Sequence, residues 1–224
     1  MKEVWENIYS NGRQCNLYPW DCVVSFLNRN CSLRGTGIGG MKVLEIGCGT
    51  GGNLWFAARE GAQVCGTDFS RSAIDYAINR FNIDGLSGDF LAATLPDVPN
   101  FGIGLFDFII DRSCLTHCSH QVIRDTHKNL RKLLKPEGLF FSTVYGSSHM
   151  SAGSGERQSN GLTAGICKGS LTEVGLVSFF DAEMINEIWS ENWKIEKLME
   201  RRDTIRVGTE IGTNSEWHVT SMAV

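Results

Sequence analysis

The chain reads as an α/β protein built on a doubly wound, mostly parallel seven-stranded sheet that ends in an antiparallel hairpin. Three observations predict this class. Short apolar runs without polar alternation, such as Val43, Leu44 and Ile46 or Leu105 to Ile110, suit strands buried on both faces. Segments with apolar residues at helical spacing alternate with those runs, the pattern of βαβ units and a parallel sheet. The first run ends as Glu45-Ile46-Gly47-Cys48-Gly49-Thr50-Gly51-Gly52, a carboxylate followed by glycines that let backbone approach a ligand without obstruction by a Cβ.

Composition sets the outer limits. The 224 residues, 42% of them hydrophobic, suit one domain spanning 1–224, and a net charge of −4 offers no cue for nucleic acid. Met1 to Glu6 is charged and lacks the apolar core of a signal peptide. No run reaches the ~18 apolar residues a membrane span needs, so the expectation is a soluble cytoplasmic protein without a membrane partner. The eight cysteines are scattered through strands and loops, which favours free thiols. Cys114, His117, Cys118 and His120 crowd into seven residues with no second ligand pair, so no metal is expected. Nothing in the sequence settles the oligomeric state.

Along the chain, residues 1–40 form a helical cover. An aromatic lead-in of Trp5, Tyr9, Tyr18 and Trp20 precedes a helix carrying Val23, Val24, Phe26 and Leu27, and a Gly-rich linker follows from Ser32 to Gly40. The first strand runs from Met41 to Ile46. Asn53 to Glu60 reads as a helix stopped by Gly61. Val64 to Asp68 is the second strand, and Ser70 caps a helix through Ile74, Ala77, Ile78 and Phe81. Ile83 to Ser87 reads as a short third strand. Leu105 to Ile110 is the fourth strand, Ser119 to Leu134 a helix with a basic outer face, Lys135 to Gly138 its end, and Leu139 to Tyr145 the fifth strand. From Gly146 to Gly175 the composition turns to Gly, Ser, Thr and Asn, too long for a plain connection, so 146–175 is read as a lid. Asp181 caps a helix from Glu183 to Glu191. Trp193 to Ile205 and Glu216 to Val224 form the closing hairpin.

The glycines at 47, 49 and 52 satisfy G-x-G-x-x-G, which suits any nucleoside-bearing cofactor. Glu45 narrows the choice, because a carboxylate at the strand end is a poor neighbour for pyrophosphate and a good one for an ammonium group or a bound water beside a cation. Four landmarks in order then resemble class I S-adenosylmethionine-dependent methyltransferases. They are Glu45 to Gly51; Asp68, about twenty residues beyond Gly47; Gly88-Asp89-Phe90; and Phe106 to Asp111. Leu134-Lys135-Pro136-Glu137-Gly138 before the fifth strand is also similar to that family, as is the terminal hairpin.

The resemblance implies a Rossmann-like fold, S-adenosylmethionine as cofactor, and in-line transfer of its methyl group; with no basic groove for nucleic acid, the expected acceptor is a hydroxyl or amine of a small-molecule metabolite. It assigns Glu45, Gly47, Cys48, Gly49, Gly51, Asp68, Phe69, Asp89, Phe90, Asp111 and Arg112 to the cofactor. Asp68 is expected to hold the ribose diol and Asp89 the adenine amino group. Tyr9, Arg13, Tyr18 and Trp20 are substrate candidates in a segment that crosses the cleft, or else core aromatics. His117, just past the fourth strand, is the acid/base candidate, or else caps the next helix. Tyr145 and His149 at the lid hinge are further catalytic candidates. Two alternatives stand beside this reading: an NAD(P)-dependent oxidoreductase using the same glycines, and a protein that binds S-adenosylmethionine without turnover.

Overall fold

A seven-stranded sheet forms the centre of the molecule, and the alternation of side chains along its strands decides the layers. The computed structural model describes residues 1–33, 35–191, 193–207 and 210–223, with backbone only at 207 and 210. Position 34 of the predicted linker and position 224 of the predicted last strand lie outside the described residues. The sheet strands are β1 (Lys42–Ile46), β2 (Gln63–Asp68), β3 (Asp89–Ala92), β4 (Phe106–Arg112), β5 (Leu134–Tyr145), β9 (Trp193–Val207) and β10 (Glu210–Ala223). Their order is β3-β2-β1-β4-β5-β10-β9, parallel from β3 to β5 and antiparallel for the β9–β10 hairpin and its junction with β5. This is the Rossmann-like sheet the sequence predicts.

Helices α2 (Asp21–Leu33), α3 (Gly52–Arg59) and α4 (Arg71–Ile83) cover one face. Their Val23, Phe26, Leu27, Leu54, Ala57, Ile74 and Phe81 meet Val43, Val64, Phe108, Ile110 and Phe141 in one apolar cluster. The opposite faces of the same strands, with Leu44, Ile46, Ile109, Phe140 and Val144, meet Ile123 and Leu130 of α5 (His120–Arg131) and Ile185, Ile188 and Trp189 of α6 (Ala182–Trp189). Neighbouring residues of one strand thus feed different cores, which is why the strands read as unbroken apolar runs. Serine and aspartate side chains cap the starts of α4, α5 and α6. Ser70 accepts from Ala73 N at 3.2 Å, Ser119 from Val122 N at 3.4 Å and Asp181 from Met184 N at 2.8 Å.

Two local readings are corrected, and a third segment gains structure. Ile83 closes α4 and the next strand begins at Asp89, because the buried residue that anchors it is Phe90, edge-on to Phe81 at 4.8 Å, while Ile83 is 74% exposed. Leu134 to Gly138 belongs to β5 rather than to the preceding helix, with Glu137 at φ 63° where the pairing with β4 shifts register. The 146–175 segment is folded. It contributes β6 (Glu156–Arg157) and β7 (Leu162–Ala164), which join β8 (Val177–Ser178) in a second small antiparallel sheet of order β6-β7-β8. Ile166, Leu171, Val174, Val177 and Phe179 form a third apolar cluster against Trp5 and Tyr145. Strands of two or three residues are too short to show a period in sequence. Among the described residues no helix is long and apolar enough to cross a membrane.

One core residue carries a stability prediction. His127 of α5 is fully buried, with its ring centroid 4.6 Å from that of Trp189 and 5.5 Å from that of Phe140. The Ile188 backbone offers it only a weak, off-geometry contact. Burial pushes its pKa down to about 3. A depressed basic pKa contributes stability that is present above the unfolded value near 6.5 and is lost as pH falls toward 3. At pH 4 this amounts to roughly 3 kcal/mol, since each unit is ~1.4 kcal/mol. His127→Leu should therefore leave neutral stability within about 1 kcal/mol yet gain on the wild type at pH 4, as read by urea unfolding at both pH values. Parallel pH dependence in the two proteins would refute this.

Candidate active site

Strand order reverses between β1 and β4, and open α/β sheets hold their ligands at the carboxyl edge of such a switch point. There the chain turns at Gly47 (φ 61°) and Gly49 (φ 51°), conformations that side-chain-bearing residues rarely adopt. A Cβ at Gly47 would sit 2.3 Å from Cys114 Cβ, and one at Gly49 would sit 2.7 Å from Tyr9 Oη. The bare backbone is what lets the turn fit under α1 (Lys2–Ser10) and beside the β4 exit. Gly51 (φ 75°) serves a different end, letting α3 start against Ala77 of α4.

Two adjoining cavities open over this turn. One, of about 180 Å³, is lined by Glu45, Gly47, Cys48, Gly49, Asn53, Arg112, Ser113, His117 and Tyr145, with Trp5, Tyr9, Tyr18 and Trp20 on the side of the N-terminal segment. The other, of about 440 Å³, is lined by Thr67, Asp68, Phe69, Ala93, Thr94, Leu95, Cys114, Cys118 and Val122. Trp5, Tyr9, Gly47, Arg112, Ser113 and His117 border both, so the two are lobes of one crevice partly divided by α1.

Glu45 is buried at the end of β1. Its Oε1 accepts from Asn53 Nδ2 at 2.7 Å, and its Oε2 is buried without a hydrogen-bond partner. Burial, opposed by the Asn53 bond, pushes its pKa up to about 8, and Asp111 and Asp68 push the same way. Asn53 also accepts from Trp20 N at 2.9 Å through Oδ1, so one side chain ties the strand-end carboxylate to the aromatic cover. Asp68 closes β2 and accepts from Gly49 N at 3.0 Å and Ser70 N at 2.9 Å. Burial raises its pKa against those bonds.

Asp111 is fully buried but does not face the cavities. It accepts from Cys114 N at 2.8 Å, Leu115 N at 3.1 Å and Ser142 Oγ at 2.6 Å, and its pKa, raised by burial, is about 6. Its work is to hold the turn that carries Ser113 (φ 57°) and His117. His117 Nδ1 lies 2.9 Å from the Leu176 carbonyl, which makes Nδ1 the protonated nitrogen and leaves Nε2 with a lone pair. Burial pushes the His117 pKa down to about 4, so the ring stays neutral. Trp5 and Tyr145 stand edge-on to it, with ring centroids 5.1 and 6.5 Å away.

Several expected residues are placed elsewhere. Asp89 and Phe90 begin β3 beside Cys65 and Gly66, at the edge of the sheet away from the crevice. Asp89 is exposed and Phe90 is core. Ala93, Thr94 and Leu95, past the far end of that strand, line the crevice instead. Arg13 is exposed and pairs with Glu173 at 2.7 Å, linking the N-terminal segment to the 146–175 segment. His149 is buried, accepts from Ser151 N at 3.1 Å, and faces a neighbouring cavity across Tyr145. Arg112 lines all three spaces, lies 4.1 Å over the Trp20 ring and pairs with Glu216 at 3.2 Å. The sequence reading did not single out Asn53, Ser113 or the Ala93–Leu95 stretch. A buried asparagine in the first turn of the helix after a glycine turn was the one usable signal.

Residues 43–138 match the family described as a methyltransferase domain. The chain is 32% identical over 114 residues to a ubiquinone biosynthesis O-methyltransferase of Pectobacterium atrosepticum, covering 50% of this chain and 46% of that protein. It is 36% identical over 110 residues to a non-reducing polyketide synthase of Emericella nidulans, covering 44% of this chain and 4% of the synthase. The chain thus spans about half or less of the length of these relatives. Among solved structures it is similar to the 1,6-didemethyltoxoflavin-N1-methyltransferase of Burkholderia thailandensis. That protein was solved with its substrate and S-adenosylhomocysteine, at TM-score 0.71 and 16% identity over 100% of this chain and 87% of that one. An S-adenosylmethionine-dependent methyltransferase structure from Methanosarcina mazei aligns at TM-score 0.65 and 15% identity, over 93% of this chain and 100% of the other. The family match covers residues 43–138, less than half of the chain, and over the whole chain the fold is that of these methyltransferase structures.

Proposed function

We propose that the protein transfers the methyl group of S-adenosylmethionine to a hydroxyl or amine of a small-molecule acceptor. The observation that carries this reading is Glu45 Oε2, a buried acceptor without a partner beside a glycine turn that a Cβ would block. A buried carboxylate oxygen is costly unless something donates to it, and an amino acid ammonium group does. Glu45, Asp68 and Asp111 cluster at this edge, and their mutual effect on the Glu45 pKa suits a cationic ligand better than a pyrophosphate. That favours S-adenosylmethionine over NAD(P).

In this reading Glu45 and Asn53 hold the amino acid end, Gly47 and Gly49 the backbone side, and Asp68 the ribose. Phe69 and Ala93 to Leu95 enclose the base. When bound, S-adenosylmethionine supplies an electrophilic sulfonium methyl. The chain's own residues then orient the acceptor in the smaller lobe, which the Trp5, Trp20 and Tyr145 rings line beside the polar Glu45, Asn53 and Arg112. His117 Nε2 accepts a proton from a hydroxyl acceptor. Residues 146–175, packed on Trp5 and Tyr145, close the space as a lid.

Asp68→Ala should lower S-adenosylhomocysteine affinity at least tenfold, because a hydrogen bond to a charged group is worth roughly 1.5 to 3 kcal/mol. Calorimetry with a folded variant checks it, and unchanged affinity would remove Asp68 from the ribose assignment. The reading as a whole is tested by calorimetry with S-adenosylmethionine, S-adenosylhomocysteine, NAD and NADP, followed by S-adenosylhomocysteine release across a panel of small phenols, hydroxy acids and amines. Binding of NAD or NADP alone would overturn it. Tight cofactor binding with no turnover on any acceptor class would favour a protein that only senses the cofactor.

A further inference from the structure

Beyond the crevice, on the other side of Arg112, three side chains of metal-ligating chemistry converge. Cys22 lies in the first turn of α2. Glu216 and His218 are two residues apart on β10, so both point to the same face of the sheet, toward α2. The Cys22 thiol sulfur, a Glu216 carboxylate oxygen and a His218 ring nitrogen all lie within 4.8 Å of one another. His218 is buried and the other two are half-buried. The cluster borders a cavity of about 310 Å³, and a wider surface groove along α2, also lined by Cys22 and His218, provides a path from solvent.

We propose that Cys22, Glu216 and His218 form a binding site for a divalent transition ion of the zinc class. A thiolate, an imidazole and a carboxylate are the three side-chain ligand types zinc takes. Three protein ligands leave the fourth tetrahedral position to water or to a group in the cavity. In a tetrahedral site the donor atoms stand ~3.3 to 3.8 Å apart, given bonds of about 2.0 to 2.3 Å. Closing on an ion therefore asks for about 1 Å of side-chain movement into an open cavity. His218 Nε2 now lies 3.0 Å from Glu216 Oε1, a contact that a bound ion replaces with two metal–ligand bonds. Arg112 repels a cation at this place. Glu216 Oε2, at 3.2 Å from the guanidinium, offsets that repulsion while leaving Oε1 for the ion. The thiol sets the cluster apart from an ordinary Glu–His pair, since it adds the soft ligand that selects zinc or cobalt over magnesium or calcium.

Cobalt(II) is the probe, because four-coordinate thiolate-bound cobalt absorbs in both the near-ultraviolet and the visible. Titration of the full chain should develop a sulfur-to-cobalt band, keep it in the exposed control Cys167→Ser, and lose it in Cys22→Ser. Zinc affinity, read by competition with a chromophoric chelator, should fall in His218→Ala by more than the ~10- to 100-fold that loss of a ligand's outer partner costs. No thiolate band in the wild type at saturating cobalt, or a band that survives in folded Cys22→Ser, would overturn the site. Should Cys22→Ser fail to fold, alkylation of the wild type decides. Zinc shielding Cys22 from iodoacetamide, read by peptide mass spectrometry, supports the site, and equal labelling with and without zinc refutes it.

Discussion

Glu45→Gln is expected to lower S-adenosylmethionine affinity by roughly ten- to a hundredfold, the equivalent of one charge-assisted hydrogen bond. Gln keeps the volume and can still accept from Asn53, so the β1 end and α3 should stay in place while the negative charge is lost. The wild type carries a second signature. Burial holds the ligand-free Glu45 pKa up at about 8, so near pH 7 the carboxyl is mostly protonated, whereas a cation on Oε2 favours the ionised form. Binding at pH 7 should therefore release a proton, and affinity should rise with pH toward about 8. Calorimetry in two buffers of different ionisation enthalpy measures the proton count. A count of zero in the wild type, or the same count in Glu45→Gln, would show that Glu45 does not receive the ammonium group.

How far the sequence foretold this site depends on what each residue does locally. Glu45 and the glycines were legible because a strand that ends in a carboxylate and breaks into positive-φ turns leaves both a chemical and a conformational mark. Asp68 was legible through strand length and spacing. Asp89 was not, since Gly88-Asp89-Phe90 marks the start of β3. The wall of the crevice on that side is Ala93, Thr94 and Leu95, which carry no chemical signature. Trp5 and Asn53 matter only through contacts made across the fold: Trp5 against the His117 ring, and Asn53 between Glu45 and the Trp20 backbone. Tyr145 and His149 sit four residues apart, yet the chain bends after β5, where Gly146 bridges to Phe180, and sends His149 to the far side of the Tyr145 ring. A linear reading assigns both to one lobe, and only the bend separates them.

If the acceptor is a hydroxyl, His117→Ala should cut turnover by about a hundredfold or more with cofactor affinity nearly unchanged, because a general base contributes in the transition state rather than in binding. Its low basicity is no obstacle. With a pKa near 4 the ring is in its proton-accepting form throughout the neutral range, and Nδ1, held at the Leu176 carbonyl, leaves Nε2 as the accepting atom. The acceptor oxygen becomes strongly acidic as it gives up its electron pair to the methyl carbon, so even a weak base takes the proton late in the step. Turnover should accordingly stay flat in the His117 limb from pH 8 down to about 5 and fall below that, a lower break than an ordinary histidine with pKa near 6.5 would give. His117→Gln keeps a polar side chain in the Trp5–Tyr145 niche without a titratable base, so it separates proton transfer from packing. Activity of the Gln variant close to wild type on a confirmed hydroxyl acceptor would leave alignment in the small lobe as the catalytic device. An amine acceptor predicts that outcome in advance, since a neutral amine already presents its lone pair.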